Sequence, residues 1–170
     1  MKKRMTARIK GAFFITRQAN HHLVHLLLGV LWFYFVRRSV PELGPYHLFL
    51  AILGSELPDI EHLFYFYMHG KKDTYSLQVR FFIRHRMWRE LTLFLKNNHK
   101  HLTNLKFHCL QWMLILTVLT GAGFLYDHFS AVILLGAMVT HYCFDVVDDI
   151  IFLGRINPNW KKGIIRSPKL

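Results

Sequence analysis

The sequence predicts an all-α fold, namely a polytopic membrane helix bundle of about four transmembrane helices with a cytosolic amphipathic helical segment. Three observations predict it. Hydrophobic residues make up 52% of the 170 residues, and they lie in long blocks with the charges between them. Turn-forming runs separate these blocks, such as PELGP at 41–45. Aromatic residues reach 15%, which suits a lipid interface where amphipathic rings settle.

On this reading the chain divides into three parts: a basic segment at 1–20, a membrane domain at 21–153 and a basic tail at 154–170. The apolar blocks run at about 22–36, 46–68, 107–126 and 131–153. Pro58 lies inside the second block. It predicts a kink or a break there, because proline lacks the N–H that a helix interior needs.

A long polar segment at 69–106 separates the second and third blocks and belongs to the membrane domain. Within it, the run VRFFIRHRMWRELTLFL at 79–95 places apolar residues at roughly helical spacing among arginines. This pattern predicts an amphipathic helix at the membrane interface. A solvated helix packed on the bundle is the alternative.

The distribution of Lys and Arg predicts the topology. The N-terminal segment has six, the first loop two, the second loop nine, the third none and the tail five. Because cytoplasmic loops carry the excess of Lys and Arg, both termini and the second loop are expected in the cytosol. The expected location is therefore the membrane, as an integral protein of the bacterial inner membrane.

The formal charge of +12 raises the question of nucleic acid, which a basic protein often binds. Here the basic residues flank apolar blocks rather than forming a basic face on a folded domain. They are better explained as topology signals and as contacts to anionic membrane lipid. Membrane lipid is thus the expected partner, and nucleic acid is not.

Ionisable residues inside apolar blocks are costly, and they therefore suggest a functional site. Those in this chain come in pairs at helical spacing or just before a block: His22 and His25, Asp59 and His62, His99 and His101, His141 and Asp145. In the predicted topology all four groups fall in the cytosolic half. Imidazole and carboxylate groups from facing helices commonly build metal sites in bundles, and mixed N/O ligation fits Zn²⁺, Mn²⁺ or Fe²⁺.

These residues also resemble the bacterial membrane-bound metal-dependent hydrolase family, whose members typically read T-H-x-x-x-G, L-P-D-x-D-H, H-R-G-x-T-H-S and H-x-x-x-D. The matches are HLLLG at 25–29, preceded by Val24 in place of the Thr, LPDIEH at 57–62, with Glu61 in place of the second Asp, and HYCFD at 141–145. The third motif departs, because HKHLTN at 99–104 has Asn104 where the family has its second His. His101 or His108 can substitute for it, or one ligand is lost.

The resemblance implies a metal-dependent hydrolase, distantly similar to zinc-dependent phospholipase C, that acts at the cytosolic leaflet on a phosphoester or lipid-linked substrate. It implies that one or two metal ions, zinc foremost, are bound by His25, Asp59, His62, His99, His141 and Asp145. Glu61 and Glu56 are then candidates for the general base or for orienting a ligand histidine. His21 or His22 could take the place of His25.

Two other functions use the same residues. A divalent-cation or proton-coupled transporter would need an outward path, and the outer halves of the predicted helices carry almost no ionisable residues. A non-enzymatic membrane subunit would use the polar cluster only to lock helix packing.

Overall fold

The computed structural model describes residues 21–98 and 105–161, and within these ranges all regular structure is helical, with no strand. The helices are α1 His21–Arg37, α2 Pro45–Glu56, α3 Ile60–Phe64, α4 Thr74–Arg84, α5 Trp88–Asn98, α6 Leu110–Leu125, α7 Phe129–Leu153 and α8 Pro158–Lys161. The all-α prediction is confirmed for these residues.

Helix α7 is the centre of the fold, because α2 packs on it from one side and α6 from another. One buried cluster joins Phe33 and Val36 of α1 to Ala51 of α2 and to Val132 and Ile133 of α7. A second cluster joins α6, α7 and the segment after α7 through its buried members Leu116, Tyr142 and Trp160. The second cluster lies beside His141, which precedes Tyr142 in α7, whereas the first lies toward the opposite end of α1 and α7.

Two glycines let α1, α2 and α7 approach closely near those polar residues. A Cβ on Gly54 would lie 2.3 Å from the Leu134 carbonyl oxygen of α7. A Cβ on Gly29 would lie 2.7 Å from the Ala51 carbonyl oxygen and 2.8 Å from Ser55 Oγ. Real Cβ atoms do not sit this close, so only glycine allows these backbones to meet, as small residues do at close helix contacts.

The interruption expected at Pro58 is a turn of 3₁₀ helix, Leu57–Asp59, which follows α2 and precedes α3. A turn of π-helix, Tyr65–His69, then follows α3. The second apolar block therefore consists of α2 followed by three short helical pieces.

The amphipathic run at 79–95 is divided between α4 and α5 rather than forming one helix. Arg86 has a φ of +55°, in the left-handed region that a right-handed helix cannot contain. His85 Nδ1 donates to the Phe81 carbonyl oxygen at 2.8 Å and so satisfies one of the last carbonyls of α4. The two helices fold back on each other, with the rings of Tyr75 and Phe94 5.0 Å apart.

One helix among the described residues is long and apolar enough to cross a membrane. It is the 23-residue stretch Phe129–Ile151, of mean hydropathy 1.7, and only a third of its most apolar window is buried within the protein. The apolar helices His21–Arg37 and Leu110–Leu125 are shorter. By length and composition, the structure thus supplies one candidate span where the apolar blocks predict about four.

Candidate metal centre

Four parts of the chain bring histidines and carboxylates together at one end of the bundle. They are the start of α1, the segment from the end of α2 through α3, the residues just before α6 and the second half of α7. The residues that meet there are His21, His22, His25, Glu56, Asp59, Glu61, His62, His108, His141 and Asp145. Helical spacing explains the pairs on α1 and α7, because residues four apart lie on one face.

His141 of α7 is fully buried, and its ring orientation is fixed by α2. Its Nδ1 lies 2.6 Å from the Ser55 carbonyl oxygen, which can only accept, so Nδ1 carries the proton. Its Nε2 lies 3.1 Å from Asp145 Oδ2 and 3.8 Å from Asp59 Oδ1. No described group makes a hydrogen bond to this Nε2. A histidine held by a carbonyl at one nitrogen is the usual arrangement of a metal ligand.

His108 is held in the same way by Glu61. Glu61 Oε1 accepts hydrogen bonds from the backbone N–H groups of Lys106 and Phe107. Glu61 Oε2 accepts from the His108 N–H at 3.2 Å and from His108 Nδ1 at 2.8 Å. His108 Nε2 lies 3.7 Å from Asp145 Oδ2 and lacks a hydrogen-bond partner within the described ranges. Glu61 thus binds one ring nitrogen of His108 while the other faces the cluster, as in a carboxylate–histidine–metal arrangement.

His25 and His21 of α1 complete the inner group. The buried ring of His25 stacks on that of His141, with centroids 3.7 Å apart and planes inclined by 18°. His25 Nε2 lies 3.0 Å from His21 Nε2 and 3.5 Å from Asp145 Oδ1. Two imidazolium rings in such a stack would repel each other, so the geometry disfavours a positive charge on both rings at once.

Asp59 stands between this inner group and a more exposed one. Its Oδ1 lies 3.8 Å from His141 Nε2 and 3.9 Å from His62 Nε2. Its Oδ2 lies 3.6 Å from His22 Nδ1, which is in turn 3.5 Å from Glu56 Oε2. His22 is half exposed, so this outer group lies at the edge of the cluster.

The arrangement fits a divalent metal ion. Five sets of three donors each have their ligand atoms within 4.8 Å of one another: His21, His25 and Asp145; His25, Asp59 and His141; Asp59, His62 and His108; His108, His141 and Asp145; His22, Glu56 and Asp59. A tetrahedral ion with bonds of ~2.0 Å would have its donors about 3.3 Å apart, near the spacings found here. Buried polar atoms that make no hydrogen bond are costly, and a metal ion bound by these nitrogens and oxygens would satisfy them.

A small cavity of about 80 Å³ opens beside this cluster. The cluster supplies His21, Asp59, His62, His108 and Asp145 to its wall, and residues beyond the end of α7 close another side, namely Asn157, Asn159 and Trp160. Asn159 Nδ2 donates to the His108 carbonyl oxygen at 2.6 Å. Trp160 Nε1 donates to Asp149 Oδ2 at 2.9 Å. The segment after α7 is therefore part of the site's surroundings.

Of the six metal ligands that the sequence suggests, the structure brings five together: His25, Asp59, His62, His141 and Asp145. His99 lies outside the described residues, as do His101 and Asn104 of the altered third motif. Glu61 lies against His108 rather than in a donor set, and Glu56 belongs to the outer group.

Some members of the site had weak signals in the sequence or none. His108 appears in the sequence only as a substitute ligand, yet it belongs to two donor sets. The sequence suggests His21 only as a substitute for His25, although its position four residues before His25 puts both on one helix face. The run NPNW at 157–160 lies in a segment read as a basic tail, and nothing in its spacing indicates that Asn159 and Trp160 line a cavity.

Comparison with protein-family models, with curated proteins and with solved structures finds no match to this chain. The functional assignment therefore depends on the residues of the site themselves.

Proposed function

We propose that this chain is a membrane-embedded, metal-dependent hydrolase, with zinc as the expected ion and manganese or iron as alternatives. The observation that carries this proposal is the convergence of histidine nitrogens and carboxylate oxygens from four parts of the chain, with buried imidazole nitrogens that make no hydrogen bond among the described residues. The resemblance to the membrane-bound metal-dependent hydrolase family is consistent with it.

The inner residues would hold the metal, with His108, His141 and Asp145 as its first ligands and Asp59 as a carboxylate shared with the neighbouring groups. A divalent ion held there supplies Lewis acidity and a nucleophile at neutral pH. Ser55 and Glu61 orient the Nε2 atoms of His141 and His108 toward the cluster, because each accepts a hydrogen bond from the N–H at the opposite ring nitrogen. The protein thus presents pre-oriented ligands.

Glu61 and Glu56 would have different roles. All four hydrogen bonds described for Glu61 fix the segment before α6 and the ring of His108, which favours an orienting role. Glu56 is partly exposed, and its Oε1 has no hydrogen-bond partner in the described part of the chain. Glu56 is therefore the better candidate for the general base.

We further propose that α1, α6, α7 and the helical run at 45–69 that begins with α2 cross the membrane, with both termini in the cytosol and the site at the cytosolic leaflet. These helices expose large apolar side chains over much of their length: Leu23, Leu27, Leu31, Phe35, Phe49, Leu114, Val118, Leu125 and Ile151, among others. Such a surface is rare on monomeric soluble proteins and suits lipid. A site at this depth favours a phosphoester or lipid-linked substrate.

The test is hydrolysis by the purified, zinc-reconstituted protein in lipid nanodiscs. Bis(p-nitrophenyl) phosphate and p-nitrophenylphosphorylcholine probe the diester class, and p-nitrophenyl phosphate probes the monoester class. We expect turnover that Asp145→Asn abolishes and that the exposed control Glu42→Gln leaves unchanged. A metal-loaded protein that cleaves none of these and instead moves zinc across proteoliposomes would overturn the hydrolase in favour of a transporter.

A further inference from the structure

The segment after α7 carries a buried polar atom that the metal centre does not account for. Asn159 is only 2% exposed and lies in α8, on the wall of the cavity beside the donor cluster. Its Nδ2 donates to the His108 carbonyl oxygen, so the identity of the two amide atoms is fixed by that contact. Oδ1 therefore faces elsewhere, and it finds no hydrogen-bond partner among residues 21–98 and 105–161.

An unpaired buried amide oxygen is costly, so its retention calls for a hydrogen-bond donor or another electropositive partner in the cavity. The cavity of about 80 Å³ has room for a few water molecules or one small polar group. Its other polar walls are imidazole rings and the carboxylates of Asp59, Asp145 and Asp149. These walls are rich in acceptors, so a group that carries N–H or O–H fits best.

We propose that Asn159 is a positioning residue, which holds the small N–H- or O–H-bearing group that enters the cavity by accepting a hydrogen bond at Oδ1. On this proposal, the segment Asn157–Trp160 lines the site and contributes to ligand binding, rather than being only a tail. Two contacts place this wall: Asn157 Oδ1 accepts from the Asn159 N–H at 3.0 Å, and Trp160 is anchored on Asp149. This proposal rests on the proposed metal site, because the group it positions would lie beside the donor cluster.

The test compares two small metal-binding probes on the cobalt-substituted protein, read by the cobalt absorption bands. Acetohydroxamate carries an N–H and acetate carries no donor. We expect Asn159→Ala to weaken acetohydroxamate binding about tenfold, the worth of one hydrogen bond, and to leave acetate binding unchanged. Cobalt stoichiometry is measured on every variant first.

Asn159→Asp separates the two ends of the side chain, because it keeps an acceptor oxygen and removes the Nδ2 donor to His108. We expect it to retain acetohydroxamate binding within about twofold of the wild type. Equal weakening of both probes by Asn159→Ala, or an Asn159→Asp variant that behaves like Asn159→Ala, would show a purely structural role and overturn the proposal. If Asn159→Ala does not fold, Asn159→Asp decides by the ratio of the two affinities.

The two proposals fail separately. A wild-type protein that binds no cobalt overturns the metal site and, with it, the role of Asn159. A wild-type protein that binds cobalt and in which Asn159→Ala changes neither probe overturns only the role of Asn159.

Discussion

Replacing Glu61 by Gln is the most informative single change in the site, although it conserves the shape of the side chain. Two backbone N–H groups point at Oε1, and the N–H and Nδ1–H of His108 point at Oε2. Whichever way the Gln amide turns, its NH₂ group faces two of these donors. The variant therefore loses two hydrogen bonds and sets donors against donors, either on the backbone or on His108.

The expected cost follows from the position of Glu61 behind His108. Changes to a group that orients a metal-bound histidine typically lower metal affinity about 10–100-fold, or about 1.4–2.7 kcal/mol. We expect Glu61→Gln to weaken zinc binding by that factor in competition with a chromophoric chelator, and to lower the thermal midpoint in detergent. Glu42→Gln, in the loop at the opposite end of α1, is the control and should match the wild type.

The same experiment separates the two roles that the sequence allows for Glu61. A general base would leave zinc affinity unchanged in Glu61→Gln and lower only the turnover. Wild-type zinc affinity in Glu61→Gln would therefore refute the reasoning that Glu61 acts through His108.

Two further changes test the packing that places the site. Gly54→Ala should lower the stability measured by thermal unfolding by about 1–3 kcal/mol or more, because the new Cβ would meet the Leu134 carbonyl oxygen of α7 at 2.3 Å. Gly121→Ala is the matched control, since a Cβ there meets nothing within 4 Å. It should be neutral or stabilise the protein by up to ~1 kcal/mol. Trp160→Phe should lower the free energy of unfolding by about 1–3 kcal/mol, because it removes the buried hydrogen bond to Asp149 Oδ2. Amide hydrogen exchange should then rise in residues 156–161. Unchanged exchange there would show that this bond does not hold the segment in place.

Much of the framework could be predicted from the sequence because it follows from local rules. The apolar blocks give the helical class, and Pro58 gives the break after α2, since a proline cannot continue a hydrogen-bonded helix. The pairing of His141 with Asp145 follows from their four-residue spacing. Helix number in a membrane does not follow from the same patterns, since α1 and α6 are shorter than the ~20 residues that a span requires.

The remaining parts of the site depend on contacts that no local pattern records. Ser55 orients His141 through a backbone carbonyl, and any residue type has one. The link between Glu61 and His108 joins residues 47 positions apart. Asn159 reaches the cavity only because Trp160 packs against α6 and α7, which is a tertiary contact in a segment that looks like a polar tail.

The most direct test of the metal centre is the metal content of the detergent-purified protein, by mass spectrometry, beside Asp59→Ala, His141→Ala and the control His85→Ala. His85 lies just after the end of α4. We predict stoichiometric zinc, manganese or iron in the wild type and in His85→Ala, and its loss from the other two variants while they remain folded. No metal in the wild type, even after reconstitution, would contradict the metal centre and leave the polar cluster as a device that locks helix packing.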